Sequence, residues 1–396
     1  MSRLTVAVVG AGIAGLTAAL ALARRGHAVT LLERRTGFGE TGAGIQLSPN
    51  ASRILLALGL GPALARAGFE PEEVVIRSLA SGREIGRVAQ GRLMRERYGA
   101  PYVSIARQDL HTILLDAVRA APGVRLRVGR GLAEIVQDGG PVQVRLESAA
   151  GPDVVEADLV VGADGIWSRA RACLGDVRHP VPAGHVAYRA VAPCPAGPGS
   201  DFARSTGLWL GRGRHVVHYP IAGGRLLNVV AVERRGDALE GWSAPRSRDD
   251  LRSLTAEAAP PLRALLEGVD AWSAWALAEL PVQTLGSGRV ALVGDAAHPV
   301  LPYLAQGGAL AIEDAAVLAA ALDDARGDVA SAVAAYGAAR MPRVKRVQKA
   351  ARGNGRIFHA VGPVALARNW RMRHLGPGGM ARRYGWLYGW SPEPGA

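Results

Sequence analysis

From Leu4 to Glu33 the chain reads LTVAVV, then GAGIAG, then LTAALALARRG, then HAVTLLE. The first block is apolar and β-branched, which suits a strand buried on both faces. The last block repeats that character over Ala28–Leu32 and closes with an acid. Between them lies an alanine- and leucine-rich segment ended by Gly26, the composition of a helix with a glycine stop. Strand, helix and strand in so short a span fit a parallel crossover unit, and each glycine of Gly10, Gly12 and Gly15 has its own task there. Gly10 allows the tight turn, Gly12 leaves room for a pyrophosphate, and Gly15 lets the helix pack closely on the strand. Ala14 lies within the same loop. The helix N-terminus offers N–H groups to the phosphates, and Glu33 is placed to accept from a ribose hydroxyl. The expectation is an α/β protein built on a Rossmann-like dinucleotide fold.

Two later stretches repeat the pattern of an apolar strand ending in an acidic turn. ADLVVGADGIWSRAR at 157–171 ends its strand at Asp164-Gly165, and RVALVGDAAHPV at 289–300 ends at Gly294-Asp295. Both acids fall at the edge of an open α/β sheet that carries ligands. GAGIQLSPNASRILLALGL at 42–60 reads as a glycine-rich loop entering a helix, and Arg107 sits just before the first turn of another, ARQDLHTILLDAV.

Composition narrows the class. The 396 residues suffice for two domains, and 49% apolar content with 51 glycines and 24 prolines fits a globular, loop-rich chain. The net charge is +13, carried almost wholly by arginines scattered along the chain. Such scatter attracts small anions rather than marking a nucleic-acid face. Cys173 and Cys194 form no metal-ligand or redox spacing, so no metal is expected. No leader or membrane-length apolar run appears, and the expectation is a cytoplasmic protein.

Taken together, GAGIAG at 10–15, ADG at 163–165 and VGDAAHP at 293–299 resemble the single-component FAD-dependent aromatic hydroxylases, the para-hydroxybenzoate hydroxylase-like flavoprotein monooxygenases. HPVLPYLAQGGALAIEDAA and the tail YGWLYGW are similar to the branch that acts on salicylate, 3-hydroxybenzoate and 6-hydroxynicotinate. The likeness spans nearly the whole chain. It departs at Leu304, where the para-hydroxybenzoate type has a glycine, and at Ser391, where the branch usually has an acid. The resemblance implies bound FAD and NAD(P)H as co-substrate, with one oxygen of O2 reaching an activated phenolic or hydroxypyridine-type ring through a flavin hydroperoxide. It implies that Asp295 binds the ribitol hydroxyls and that Glu33 binds the adenosine ribose. Arg107 then reaches the pyrophosphate and ribityl region, and Arg34 and Arg35 lie near the adenine. Asp164 belongs to a motif tied to both FAD and pyridine nucleotide. Pro302 falls where a proline carbonyl lies near the reacting flavin carbon. Gly307 and Gly308 let the backbone approach the flavin pyrimidine, at the start of a helix aimed at the flavin O2. A chemical role for His298 is left open.

Residues from about 181 to 270 change to strands broken by glycine turns, and EVVIRSLASGREIGRV with PYVSIAR adds more. The expected layout is a discontinuous FAD-binding domain (1–71, 105–180 and 271–341), an inserted mainly β-sheet substrate domain (72–104 and 181–270), and a C-terminal helical region (342–396) packed on the FAD domain. Within RHVVHYP, strand alternation places His215 and Tyr219 on one face and His218 on the other. The branch has a His-x-x-x-Tyr pair lining its substrate, so His215 is expected to act as base or phenol-orienting group with Tyr219 beside it. A substrate carboxylate would call for an arginine, for which Arg83, Arg189, Arg212 and Arg214 all qualify. No second glycine-rich unit appears, so NAD(P)H should dock transiently, and the protein should be a monomer or homodimer. Two alternatives are a flavin hydroxylase or oxidase of a polyketide-like substrate, and a basic nucleic-acid-binding protein with a degenerate nucleotide fold.

Overall fold

The computed structural model describes residues 3–39, 44–149, 151–195, 201–235, 243–325 and 327–392. Gly42 of the second glycine-rich stretch lies outside them. Thr5–Val9, Ile13–Arg24 and Ala28–Glu33 form the strand, helix and strand expected from the first block. Thr5–Val9 lies centrally in a six-stranded sheet, between Leu159–Gly162 on one side and Ala28–Glu33 on the other. Val290–Leu292 extends the sheet beyond Leu159–Gly162 in parallel, and Val124–Val128 pairs in parallel outside Ala28–Glu33. The three motif strands therefore end at one carboxyl edge. Gly10, Ala163 and Val293 each donate their N–H to the neighbouring strand, on Leu32, Val9 and Gly162.

The core around this sheet is the most extensive in the described residues, and small side chains let its helices come close. Leu16, Ala18, Ala19 and Leu22 of the first helix are fully buried against it. Helix Gly307–Asp324 lies beside that helix, and its Ala311 and Ala315 are buried.

An eight-stranded sheet forms the second layer. Its order is Ser243–Ser247, Ala271–Glu279, Val181–Pro193, Leu226–Arg234, Arg214–Ile221, Thr206–Gly211, Glu73–Ser78 and Glu84–Ala89. Both segments assigned to a substrate domain contribute, but the sheet runs past residue 270, since Ala271–Glu279 pairs with Val181–Pro193. PYVSIAR does not join it: Val103–Ala106 pairs with Gly44–Leu47 in a separate two-stranded sheet. The second glycine-rich stretch is thus a short strand before its helix, Pro49–Ala57, and not only a loop. A three-stranded sheet of Gly131–Val136, Val142–Glu147 and Asp153–Ala157 stands apart.

Alternation gives the large sheet two unlike faces. One buries Tyr188, Trp209, Val216, Val229 and Trp272 under the short helices Arg252–Glu257 and Pro260–Glu267. The other turns Ala187, Val232 and Leu277 toward Leu301 and Tyr303, which belong to the loop after the Gly294-Asp295 turn. The C-terminal region divides its contacts. Helix Val329–Phe358 runs through Pro342 and packs on Gly307–Asp324, as expected for the FAD side. Helix Gly362–Arg383 instead lies against Glu84–Ala89 of the large sheet, with Met372 over Gly86. That corrects the expectation that the whole tail sits on the nucleotide fold; the sheet edge needs a cover, and Met380 and Ala381 supply it. Among the described residues no helix is long and apolar enough to cross a membrane.

Candidate active site

The glycine loop has the shape its residues call for. Gly10 takes φ of +100°, a conformation that side chains resist. A Cβ on Gly15 would collide with the Gly10 carbonyl, so helix and strand touch there through bare backbone. A Cβ on Gly12 would meet no atom within 4 Å. The chain leaves that space unfilled in front of a helix N-terminus whose cap residue is Gly12 itself. Ala14 packs toward Gly294, joining the first loop to the Gly294-Asp295 turn. Glu33 is buried and accepts from the N–H groups of Ala11 at 3.0 Å and Arg35 at 2.9 Å. Burial opposes its charge, but those two N–H groups and the Arg35 guanidinium outweigh it and hold the pKa below the ordinary value. Arg34 is exposed just beyond.

Asp164 and Asp295 sit alike at strand ends but have different surroundings. Asp164 accepts from Ser168 Oγ at 2.5 Å and from the N–H groups of Arg169 and Ala170 at 2.7 and 3.0 Å. Its carboxylate therefore caps the short helix Arg169–Cys173. Arg171 of that helix is buried and donates to the Ala296 carbonyl at 2.9 Å, fastening one motif to the other. The Asp295 carboxylate is open to the crevice, and no hydrogen bond from the described residues ends on it. Protein crowds the crevice walls, so burial raises its pKa, while the charges of His298 and Arg107 pull it back. Arg107 is the first residue of helix Arg107–Ala120, one step inside the expected boundary, and is exposed.

Past Asp295 the loop is held from below. His298 Nε2 lies 2.6 Å from Asp314 Oδ2, which also accepts the Gly294 N–H at 2.9 Å. Pro302 opens a single 3-10 turn, Pro302–Leu304, followed by Ala305 in the left-handed region at φ +52°. Gln306 bonds Ser48 and Asn50 at 2.9 and 3.0 Å, tying this loop to the loop before helix Pro49–Ala57. Gly307 starts the long helix with room above it, and a Cβ on Gly308 would press on Ile45.

Across the crevice His215 and Tyr219 share the face that looks at this loop. The alternation is as expected, but neither lies on an exposed strand, their exposures being 4% and 5%. His215 Nδ1 is 2.9 Å from His359 Nε2, and its ring packs on Tyr303 and Phe358. Burial, then the charges of His359 and His185, push its pKa well below the histidine norm. Its Nε2 makes no hydrogen bond among the described residues. Tyr219 meets Gln46, whose Oε1 accepts from Tyr102 at 2.7 Å. His218 points to the other side, stacked on Phe202 with centroids 4.5 Å apart. Burial, helped by Arg77, takes its pKa to about 3.

An open cradle at Gly12, a buried acid at the end of Ala28–Glu33 and an unpartnered carboxylate after Val290–Leu292 together fit the pyrophosphate, ribose and ribitol of FAD. The FAD binding domain family model matches residues 3–351. The 3-hydroxybenzoate 6-hydroxylase of Klebsiella oxytoca is 35% identical over 98% of this chain and 96% of its own. The 3-amino-4-hydroxybenzoate 2-monooxygenase of Streptomyces cremeus is 38% identical, covering 97% and 94%. The chain belongs to the FAD-dependent aromatic hydroxylases. Klebsiella pneumoniae HpxO, solved with FAD and uric acid, superposes with a TM-score of 0.83 over 94% of this chain and 93% of that one, at 27% identity. The chain is thus a flavoprotein monooxygenase with FAD as cofactor.

Several residues of this hydroxylase that shape the site escaped the sequence reading. Tyr303 and His359 meet His215 from a loop and from the cap of a helix far along the chain, and no local spacing announces either. Glu313, Asp314, Arg340 and Arg343 form a cluster beneath the loop that follows Asp295. That cluster did leave a signal: Glu313-Asp314 interrupts an otherwise apolar helix, and such a break calls for buried partners.

Proposed function

We propose that the enzyme hydroxylates an activated ring, phenolic or of hydroxypyridine type, at the expense of NAD(P)H and O2. The observation that carries this is that His215 and Tyr219 lie on the sheet face that packs against Pro302–Leu304, the loop that follows the Gly294-Asp295 turn. In this reading Gly10, Gly12, Ala14 and Gly15 receive the pyrophosphate, Glu33 the adenosine ribose and Asp295 the ribitol hydroxyls. Arg107 supports the phosphate and ribityl region, and Arg34 borders the adenine. Asp164 acts chiefly through the helix that it caps. Pro302, Gly307 and Gly308 bring backbone, not side chains, to the flavin edge, and the helix that starts at Gly307 aims its positive end there.

FAD, when bound, carries reducing equivalents from the nicotinamide to oxygen and passes one oxygen atom to the ring. The chain's own contribution is to make the ring electron-rich. A neutral imidazole serves as base only through a free lone pair. If His215 Nδ1 carries the hydrogen and donates it to His359 Nε2, the lone pair lies on Nε2, the nitrogen without a partner. Nε2 then takes the phenol proton, and His359 stabilises the resulting imidazolium. Burial favours the neutral imidazole and also weakens it as a base, so proton transfer relies on the imidazolium being stabilised by His359 as it forms. Tyr219 and Gln46 hold the ring at the other end of the face.

The test is NAD(P)H oxidation and oxygen uptake by the holoenzyme across 3-hydroxybenzoate, 3-amino-4-hydroxybenzoate, 6-hydroxynicotinate and salicylate. At least one should stimulate flavin reduction and yield a product with one added oxygen atom. If none does, the phenolic reading fails.

A further inference from the structure

The tail YGWLYGW carries part of the likeness to the branch, yet the hydroxylation chemistry gives it no task. Gly385–Tyr388 forms one short helical turn, pinned to the interior at several points. Arg343 donates to the Trp386 and Leu387 carbonyls at 3.0 and 3.1 Å. The Arg346 guanidinium lies over the Trp386 ring, 4.0 Å from its centre. Arg340 and Arg343 lie over Trp390 at 5.0 and 4.9 Å. Leu387 is fully buried with Leu310 and Val347, one from each of the helices Gly307–Asp324 and Val329–Phe358. The tail is therefore a strap fixed in place, and Tyr388 is set by it.

Tyr388 turns its ring to Tyr98 and Tyr102, with centroids 5.8 and 6.1 Å apart and planes at 70° and 88°. Edge contacts of this kind fix the orientation of a ring as well as burying it. Tyr102 is buried, and its O–H donates to Gln46 Oε1 at 2.7 Å. Tyr102 stands one residue before Val103–Ala106, the strand that pairs with Gly44–Leu47, so one small sheet carries both partners. That sheet lies directly on Tyr219: a Cβ on Gly44 would collide with the Tyr219 ring. Burial raises the Tyr219 pKa, and Arg189 and Gln46 oppose the rise. Gln46 acts in that sense by donating an N–H to the phenol oxygen. The hydrogen bonds then run one way, from Tyr102 to Gln46 and from Gln46 to Tyr219, which leaves the Tyr219 O–H to donate to a ligand.

We infer that Tyr388 is a positioning residue for the ring site: by holding the Tyr102 ring it fixes Gln46, and through Gln46 the direction in which Tyr219 donates. This rests on the hydroxylase reading above, in which Tyr219 lines the ring, and adds the strap Gly385–Trp390 to the wall of that site. Only packing and hydrogen bonds are involved, and no bond is made or broken.

The experiment uses flavin difference spectra of the holoenzyme titrated with 3-hydroxybenzoate, 3-amino-4-hydroxybenzoate, 6-hydroxynicotinate and salicylate. Tyr388→Leu should keep FAD occupancy yet bind the ring ligand on the order of 10-fold more weakly, the scale of a lost aromatic edge contact. Tyr388→Phe keeps the ring and should restore binding to within about twofold. Tyr102→Phe keeps its ring but cuts the bond to Gln46, and should weaken ring binding as Tyr388→Leu does. The double variant of Tyr102→Phe and Tyr388→Leu should bind no worse than the weaker single one, because both act on one chain of contacts. Additive losses in the double variant overturn the proposal, as does undiminished ring binding in Tyr388→Leu. So does a Tyr102→Phe that binds like the wild type, an outcome that counts even where Tyr388→Leu yields no folded holoenzyme. A wild type that binds none of the four ligands fails the hydroxylase reading itself, whereas equal binding by all the variants fails only the role given to the strap.

Discussion

Glu313→Gln tests the cluster beneath the flavin loop. The Glu313 carboxylate is fully buried and accepts from Arg340 Nη1 at 2.7 Å, Arg343 Nη2 at 2.6 Å, Arg343 Nε at 3.0 Å and Asn50 Nδ2 at 2.6 Å. Asp314 takes Arg340 Nε at 2.7 Å, so the two acids balance the two guanidinium groups. Glutamine keeps the shape but loses the charge and turns one acceptor into a donor facing donors. Removing one partner of a buried ion pair costs about 3–5 kcal/mol, because the other charge is left uncompensated. Glutamine retains one acceptor, which places this change near about 3 kcal/mol, roughly a hundredfold in the unfolding equilibrium. The measurement is the urea midpoint of the apoprotein, with FAD affinity taken in parallel. Affinity should weaken, since Asn50 bonds both Glu313 and Gln306 of the flavin loop. Adding Arg343→Met removes the surplus positive charge and should restore part of the loss. A cost below about 1 kcal/mol for Glu313→Gln, with no coupling in the double variant, would refute the view that these charges act as one unit.

Asp295→Ala should fold normally yet lose FAD occupancy, measured as flavin absorbance per protein; full occupancy would remove Asp295 from the cofactor site. His215→Ala should keep FAD and its reduction but divert electrons to hydrogen peroxide, slowing oxygen transfer by about 100- to 10,000-fold. In that assay His218→Ala is the control, because its ring faces Phe202 on the far side of the sheet, and a larger loss there would show that the faces are misassigned. Asp314 is opposed by burial but held at a pKa of about 2 by His298 and Arg340. Its folded pKa is depressed, so its contribution is complete above the ordinary carboxylate pKa and is lost as pH falls toward about 2. Asp314→Asn should therefore lower stability at neutral pH and flatten the acid limb of a stability–pH curve, and parallel limbs for the two proteins would contradict this.

The nucleotide fold was legible because its glycines admit few alternatives. Positive φ at Gly10, backbone contact at Gly15 and empty space at Gly12 are three separate demands, and one short sequence meets them in order. The three-stranded sheet was equally readable and was missed. Val142–Glu147 buries every second residue, and Gly139-Gly140 precedes it. The range of the large sheet was harder to read. Trp272 and Ala274 of Ala271–Glu279 point into the core behind it, but nothing local separates that strand from those of the nucleotide fold.

The site shows where reading from sequence meets a physical limit. Alternation alone separates His215 and Tyr219 from His218, and the structure keeps that separation. Yet alternation says only that faces differ, not what covers each one. His215 and His218 are almost equally buried, at 4% and 1%. What distinguishes them is company. His218 has Phe202 and Trp209 around it and no hydrogen-bond partner on either ring nitrogen among the described residues. A buried imidazole without partners stays neutral and serves as packing. His215 has His359 on one nitrogen, Tyr303 and Phe358 against its ring, and no hydrogen bond on the other nitrogen among the described residues. That partner arrives 144 residues later in the chain, from the cap of the helix Val329–Phe358. The helix is held in place by Arg340 and Arg343 on the acids of Gly307–Asp324, the helix that begins at the flavin loop. The setting of the proposed base and the setting of the loop after Asp295 therefore depend on the same buried charges, which is why a change at Glu313 should disturb coupling at His215 as well as the binding of FAD.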